Sequence, residues 1–263
     1  MVKEIPKVLF NETKSQHIEV LTFSQLVHGL NQSENHSPYA AHKIEFYLIL
    51  VVTENTYTHF VDFKSYTLKK GSTLFIAKNQ VHHFTKSLQL AAGFCIIFSS
   101  EFTDKHHFLS SSLKLNRLFN YHIETPVIHQ NELGDDSFIG IAQTLHKEYN
   151  FKSNFAKAEM LITLLQLLLL KAERAKEFQS VSGIKNHWLE TFTKFKNKLE
   201  QEYVNTRNAR DYASDLIISY KFLNDIVKKL TGKTAKAFID DFVTTEIKRY
   251  QVNLEVNQKV WLP

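Results

Sequence analysis

The sequence is poor in the residues that many functions require. One cysteine, Cys95, in 263 residues leaves no partner for an internal disulfide, so the expected setting is a reducing compartment, with a cytoplasmic location as the default. Seven glycines are too few for the glycine-rich loops that cradle nucleotide phosphates, and no Walker-type loop, nucleophile elbow or HExxH pattern occurs. The start, MVKEIPKVLF, places charges on both sides of a short apolar piece, which is not the layout of a signal peptide. The most apolar stretch, Leu161–Leu170, is half the roughly 20 residues a membrane span needs and is expected to be a buried helix. These absences leave a water-soluble globular chain outside the membrane. Its 43% hydrophobic and 22% charged residues fit that class, and its length allows one large or two ordinary domains.

The pattern of the chain changes near its middle. Glu45–Val52 (EFYLILVV) is a continuous apolar, aromatic and β-branched run, the mark of a buried strand. Tyr57–Phe63 alternates, with Tyr57, His59, Val61 and Phe63 on one face. Further short strands are expected at Thr73–Ala77, Val81–Phe84 and Gly93–Phe98, separated by turns at Lys70–Gly71 and Asn79–Gln80. Close-spaced short strands point to an antiparallel barrel or sandwich. Helices are expected at Leu113–Tyr121, at Asp136–Tyr149 and, capped by Ser153, up to about Phe178. In the last of these Ala158, Leu161, Leu165, Leu168, Ala172 and Ala175 form a seam of alternating three- and four-residue steps. The seam packs against the β-domain or against a second subunit, with Leu161, Leu165 and Leu168 as the candidate dimerisation residues. Ser180–Gly183 is the candidate linker.

Beyond the linker, Phe192, Phe195, Leu199 and Tyr203 line one helix face. A short helix pattern through Tyr212, Ala213 and Leu216 then meets a tight break at Ile217–Ile218. Ser219 sits where an N-cap belongs, and Phe222, Leu223, Ile226, Val227 and Leu230 give the following helix one apolar stripe. Gly232 suits the left-handed position after its end. Thr234 is placed to cap a long final helix with Phe238, Ile239, Phe242, Ile247 and Tyr250 inward. Two short helices, a tight turn and a basic second helix make a helix-turn-helix candidate. Net charge agrees: Thr191–Pro263 holds 13 Lys and Arg against 9 Asp and Glu, a balance of +4 out of the chain's +5.

YASDLIISYKFLNDIVKKLTGKTAKAFI, from Tyr212 onward, resembles the first helix-turn-helix and linker helix of AraC/XylS-type transcriptional regulators, and EIKR at Glu246–Arg249 matches the linker helix. HKIEFY, THFVDFKSYTLKKGSTLFIAKNQVHHF and GFCIIFSSEF are similar, in order and spacing, to the family's cupin-like sensor. The resemblance covers roughly Ser37–Arg249. It implies an α+β chain: a cupin-like antiparallel β-barrel or sandwich with dimerisation helices over residues 1–180, then an all-α DNA-binding domain over 184–263. It implies operator DNA as partner, a possible small-molecule effector, a homodimer, no membrane, no cofactor and no enzymatic activity. The family's second helix-turn-helix has no counterpart, since VNLEVNQKVWLP follows and the sequence stops. One groove read instead of two forfeits base contacts worth about 1–3 kcal/mol each.

On the reading helix, Tyr220, Lys221 and Asn224 occupy the part that reaches base edges, with Asn suited to adenine and Lys to guanine. Lys228, Lys229 and Lys233 are candidate phosphate contacts, as are Thr206 and Arg207 at the start of the preceding helix, and Ser219 begins the reading helix itself. Phe46, His59 and His82 are the ligand-binding candidates that the sensor resemblance implies. His42, Glu45, His59, His82 and His83 also invite a metal reading, but two histidines separated by one residue are missing, and no metal is expected. The alternatives are a cupin-fold enzyme or metal-binding protein, and a regulator that dimerises without binding DNA.

Overall fold

The computed structural model describes residues 7–8, 17–31, 39–99, 101–102, 118–119, 125–130, 137–153, 155–179 and 186–258. The chain divides into two compact units that part between Phe178 and Gln179. The expected linker at Ser180–Gly183 and most of the expected helix at Leu113–Tyr121 lie outside the described residues.

The N-terminal unit is α+β. One sheet has the order β1 (Lys7–Val8), β3 (His42–Ile44), β8 (Val81–His83), β5 (Tyr57–Val61) and β6 (Lys64–Leu68), antiparallel except for the β1–β3 pair. The other has the order β10 (Val127–His129), β7 (Ser72–Ile76), β4 (Tyr47–Glu54), β9 (Ala92–Phe98) and β2 (Ile18–Thr22), antiparallel throughout. The continuous apolar run now has its reason. In β4, Leu48, Leu50 and Val52 join Ile44, Tyr57, Val61 and Leu68 of the first sheet in one buried cluster. Ile49 and Val51 point the other way, into a cluster with helices α2 (Phe138–Tyr149) and α3 (Lys157–Gln179). Both faces of β4 are buried, so apolar residues stand at every position from Leu48 to Val52. Gly93 is required where β9 crosses β4, because a Cβ there would meet the Val51 carbonyl oxygen at 2.3 Å.

Three expectations change. Phe63 is not part of β5: Asp62 and Phe63 both take positive φ, 45° and 67°, and make a two-residue hairpin turn into β6, leaving Phe63 exposed. Ser153 does not cap α3, which begins at Lys157; its hydroxyl accepts from Phe155 N–H instead. Leu161, Leu165 and Leu168 are each fully buried in the unit's own core against Ile141, Ala142 and Leu145 of α2. Burial of each such side chain is worth roughly 1.5–3 kcal/mol, so the seam belongs to the monomer's core and not to a dimer interface. Helix α1 (Phe23–Asn31) inserts Phe23 edge-on to Tyr57 at 5.7 Å.

The C-terminal unit is all-α: α4 (Asn186–Glu202), α5 (Ala209–Asp215), α6 (Tyr220–Thr231) and α7 (Ala235–Gln258). Its core is aromatic. Phe195 of α4 meets Phe192, Tyr212 and Phe238 at 6.2, 5.6 and 5.9 Å between ring centres. Along α7, Phe238, Ile239 and Phe242 are buried as expected, whereas Ile247 is exposed. Among the described residues no helix is long and apolar enough to cross a membrane.

Candidate nucleic-acid interface

Helices α5 and α6 are joined by a turn that no glycine makes. Ile217 takes φ 56°, a left-handed conformation that a β-branched residue adopts at a cost. The Ile217 N–H donates to Ser214 O and the Ile218 N–H to Ala213 O, at 3.0 Å each, which closes the end of α5 with paired reverse hydrogen bonds. The Ile217 side chain is left 92% exposed, so its apolar surface repays nothing. Replacing Ile217 by glycine is therefore expected to stabilise the C-terminal unit by about 1 kcal/mol, read as a higher urea midpoint at unchanged slope. An unchanged or lower midpoint would mean the strain is not stored there.

Each end of α6 is set by chemistry visible in the sequence. The Ser219 hydroxyl accepts from Phe222 N–H at 3.1 Å, and Gly232, at φ 73°, donates its N–H to Lys228 O. Leu223, Ile226, Val227 and Leu230 are buried, which turns the opposite arc of α6 outward with Lys221, Asp225, Lys228 and Lys229 exposed. Lys228 and Lys229 also sit in the last turn, where cations complement the helix dipole.

Several candidate residues have structural duties. The Thr206 hydroxyl donates to the Asp211 carboxylate and accepts from Asn208 N–H, and its carbonyl accepts from the Tyr212 hydroxyl. Ser219 is the cap just described. Lys233 is paired with Asp241. Asn224 is partly buried, and its side-chain oxygen accepts from Ala235 N–H at 3.0 Å, tying the middle of α6 to the first turn of α7. A bidentate contact to adenine needs both the oxygen and the amide nitrogen of Asn, and here the oxygen is engaged.

What the sequence reading missed is a cationic cleft beside α6. Arg207, Asn208, Ala209, Arg210, Tyr220 and Lys236 line a space of about 480 Å³. Arg207 and Tyr220 were already candidates and residues 207–210 are contiguous, but the sequence does not signal that the starts of α5, α6 and α7 bring Arg210 and Lys236 beside Tyr220. Arg210 lies over the Tyr220 ring, 5.9 Å from its centre, an arrangement that holds the guanidinium in place through attraction to the ring face. Lys236 also faces Asp240 at 3.4 Å across an exposed pair, which is worth little in water. The cleft has three cations and no carboxylate in its lining.

In the N-terminal unit, His59 and His82 come together as packed groups. The Tyr57 hydroxyl and His59 Nδ1 are 2.6 Å apart, and His59 Nε2 and His82 Nδ1 are 3.1 Å apart. His42 stacks edge-on against His82 at 4.3 Å, and Phe84 packs on all three rings. His83, on the other face of β8, stacks on Phe60. Phe46 is buried in the same inter-sheet cluster as Tyr57. Among the described residues, no three His, Cys, Asp or Glu side chains are grouped to hold a metal ion. Cys95 is fully buried, and burial pushes its thiol pKa up, which removes the thiolate a nucleophile needs.

No protein-family model matches the chain, and no curated protein is similar to it in sequence. Among solved structures, apo ToxT from Vibrio cholerae is similar to it at 13% identity over 85% of this chain and 78% of that one, with a TM-score of 0.41. The AraC-like transcriptional activator CuxR is similar at 9% identity over 88% and 77%, with a TM-score of 0.32. ToxT and CuxR are AraC-family transcriptional regulators.

Proposed function

We propose that the chain is a DNA-binding transcriptional regulator of the AraC type, with a cupin-like N-terminal sensor and a C-terminal helix-turn-helix. The observation that carries this reading is the pair α5 and α6. A tight left-handed turn joins them, the second helix is capped at both ends, and its outward arc carries Lys221, Lys228 and Lys229. In this reading α6 enters the major groove. Lys221 and Tyr220 reach base edges, while Lys228, Lys229 and the cleft cations Arg207, Arg210 and Lys236 meet phosphates. Asn224 keeps its oxygen on Ala235 and offers its amide N–H groups.

A mobility-shift series with genomic fragments over increasing salt tests the reading. A specific complex that survives competitor DNA, with log affinity falling linearly in log salt, supports it. Binding that is equal on every fragment at every salt concentration overturns sequence reading by this unit.

The proposed assembly is a homodimer, which presents α6 twice. Since Leu161, Leu165 and Leu168 are core, the face of α3 offered to a partner is the opposite one, where Met160, Leu167 and Leu170 are exposed. Glutamate at both Leu167 and Leu170 is expected to shift sedimentation from dimer to monomer without altering the helical content. A variant that sediments as the wild type sinks this face as the seam.

A further inference from the structure

The N-terminal unit buries a row of imidazoles that packing alone does not require. His42 on β3, His59 on β5 and His82 on β8 are 4%, 0% and 1% exposed, and adjacent rings touch along the row. Their strands are neighbours in one sheet: His42 pairs with His82 across β3 and β8, and Val61 pairs with His82 across β5 and β8. The row is wired as well as stacked. Tyr57 meets His59 Nδ1, His59 Nε2 meets His82 Nδ1, and His42 Nδ1 donates to Ala40 O at 3.0 Å. The far nitrogen of His82, Nε2, has no hydrogen-bond partner.

Proton counting shows what this wiring tolerates. Between His59 Nε2 and His82 Nδ1, 3.1 Å apart, there is room for one N–H. One added proton creates an imidazolium at a fully buried ring. Two added protons set N–H against N–H. The titratable groups facing the row are His42 from β3, Tyr57 from β5 and His82 from β8, with Cys95 of β9 and Tyr39 beside Tyr57, and His83 acts on it from the other face of β8. Every charged neighbour acting on His59 and His82 is another histidine, and none is a carboxylate. Asp62, which β8 does touch, spends its oxygens on Val81 N–H and the Gln80 amide.

We infer that the His42–His59–His82 row makes the N-terminal unit acid-responsive, with proton uptake prising β8 from β3 and β5. The direction follows from linkage. Burial holds His59 down to about 3 from its ordinary 6.5 and holds His82 well below 6.5. Above pH 6.5 both states of the chain keep these rings neutral, and the unit has its full stability. Below 6.5 the opened state binds protons that the closed state refuses, so stability falls with pH down toward about 3. This inference concerns the N-terminal unit alone and stands or falls independently of DNA binding.

The test uses the full chain. Urea unfolding of the N-terminal unit is followed from about pH 7.5 to about pH 5, and the imidazole resonances of the native protein are titrated by NMR. Each ring kept neutral is expected to raise the open-to-closed ratio roughly tenfold per pH unit below 6.5, hence roughly a hundredfold for the His59–His82 pair. In H59Q/H82Q that dependence should shrink by the same factor while the side chains of other histidines continue to contribute. Native resonances of His59 and His82 should not titrate before the unit opens. The inference is overturned if these rings titrate near 6.5 in the closed protein, or if H59Q/H82Q keeps the wild-type pH slope. Should the double variant fail to fold, the wild-type ring titration decides.

Discussion

Alanine at both Arg210 and Lys221 is expected to weaken operator binding by two to three decades, on the order of 3–4 kcal/mol, while leaving the helical unit folded. The two side chains act by different routes, and the single variants separate them. Arg210 lines the cationic cleft and is held over the Tyr220 ring, outside the arc of α6 proposed to enter the groove. Its loss removes one phosphate contact, so affinity should fall about equally on every sequence, and the slope of log affinity against log salt should drop by about 1. Lys221 is exposed in the first turn of α6. Its loss should cost about 1–3 kcal/mol on the operator and much less on random DNA, so the ratio of specific to non-specific binding falls. Both residues are exposed and neither belongs to the buried core, so circular dichroism and urea midpoints should match the wild type. A double variant that binds operator as the wild type does rules out this face as the interface.

The contrast between Arg210 and Lys221 also marks what could be read from the sequence. Lys221 was legible because it sits on a helix whose apolar stripe, N-cap serine and terminal glycine are all local signals. Arg210 and Lys236 were not, because the cleft gathers the starts of three helices that are distant in the chain. Asn224 was read as an outward polar residue from helical spacing alone, and its bond to Ala235 N–H depends on where α7 begins in space. The same limit shows in the N-terminal unit. The EFYLILVV run announced a buried strand, and only the structure shows that both its faces are covered. In α3 the leucines are so numerous that periodicity could not say which face is core, and only packing against α2 and the second sheet assigns Leu161, Leu165 and Leu168 inward. A turn was missed at Asp62–Phe63, where left-handed backbone occurs without glycine or asparagine, whereas the equally glycine-free break at Ile217–Ile218 was readable from the helix patterns on either side of it.

Replacing Phe195 by alanine should do the greatest damage to the C-terminal unit. The ring is fully buried and stands between α4, α5 and α7, in edge or tilted contact with Phe192, Tyr212 and Phe238. A cavity of that size in a core is worth about 3–5 kcal/mol, and the lost aromatic pairs add to it. Collapse cannot easily refill the space. The Tyr212 hydroxyl is tethered to Thr206 O at 2.8 Å, and Phe192 already packs against Phe238 at 5.3 Å. The cost is comparable to the whole stability of a small helical unit, so α5 and α6 should lose their fixed arrangement and specific DNA binding should vanish with them. Hydrogen exchange separates this from a loss of contacts to DNA. Amides of α4 to α7 should exchange on the order of 10²–10³ times faster, whereas amides of β4 and β9, whose side chains belong to other clusters, should keep their wild-type rates. A Phe195→Leu variant should recover most of the loss, because it restores apolar volume without the ring contacts. If Phe195→Ala leaves exchange in α5 and α6 unchanged, the aromatic cluster is not what holds the two helices in register.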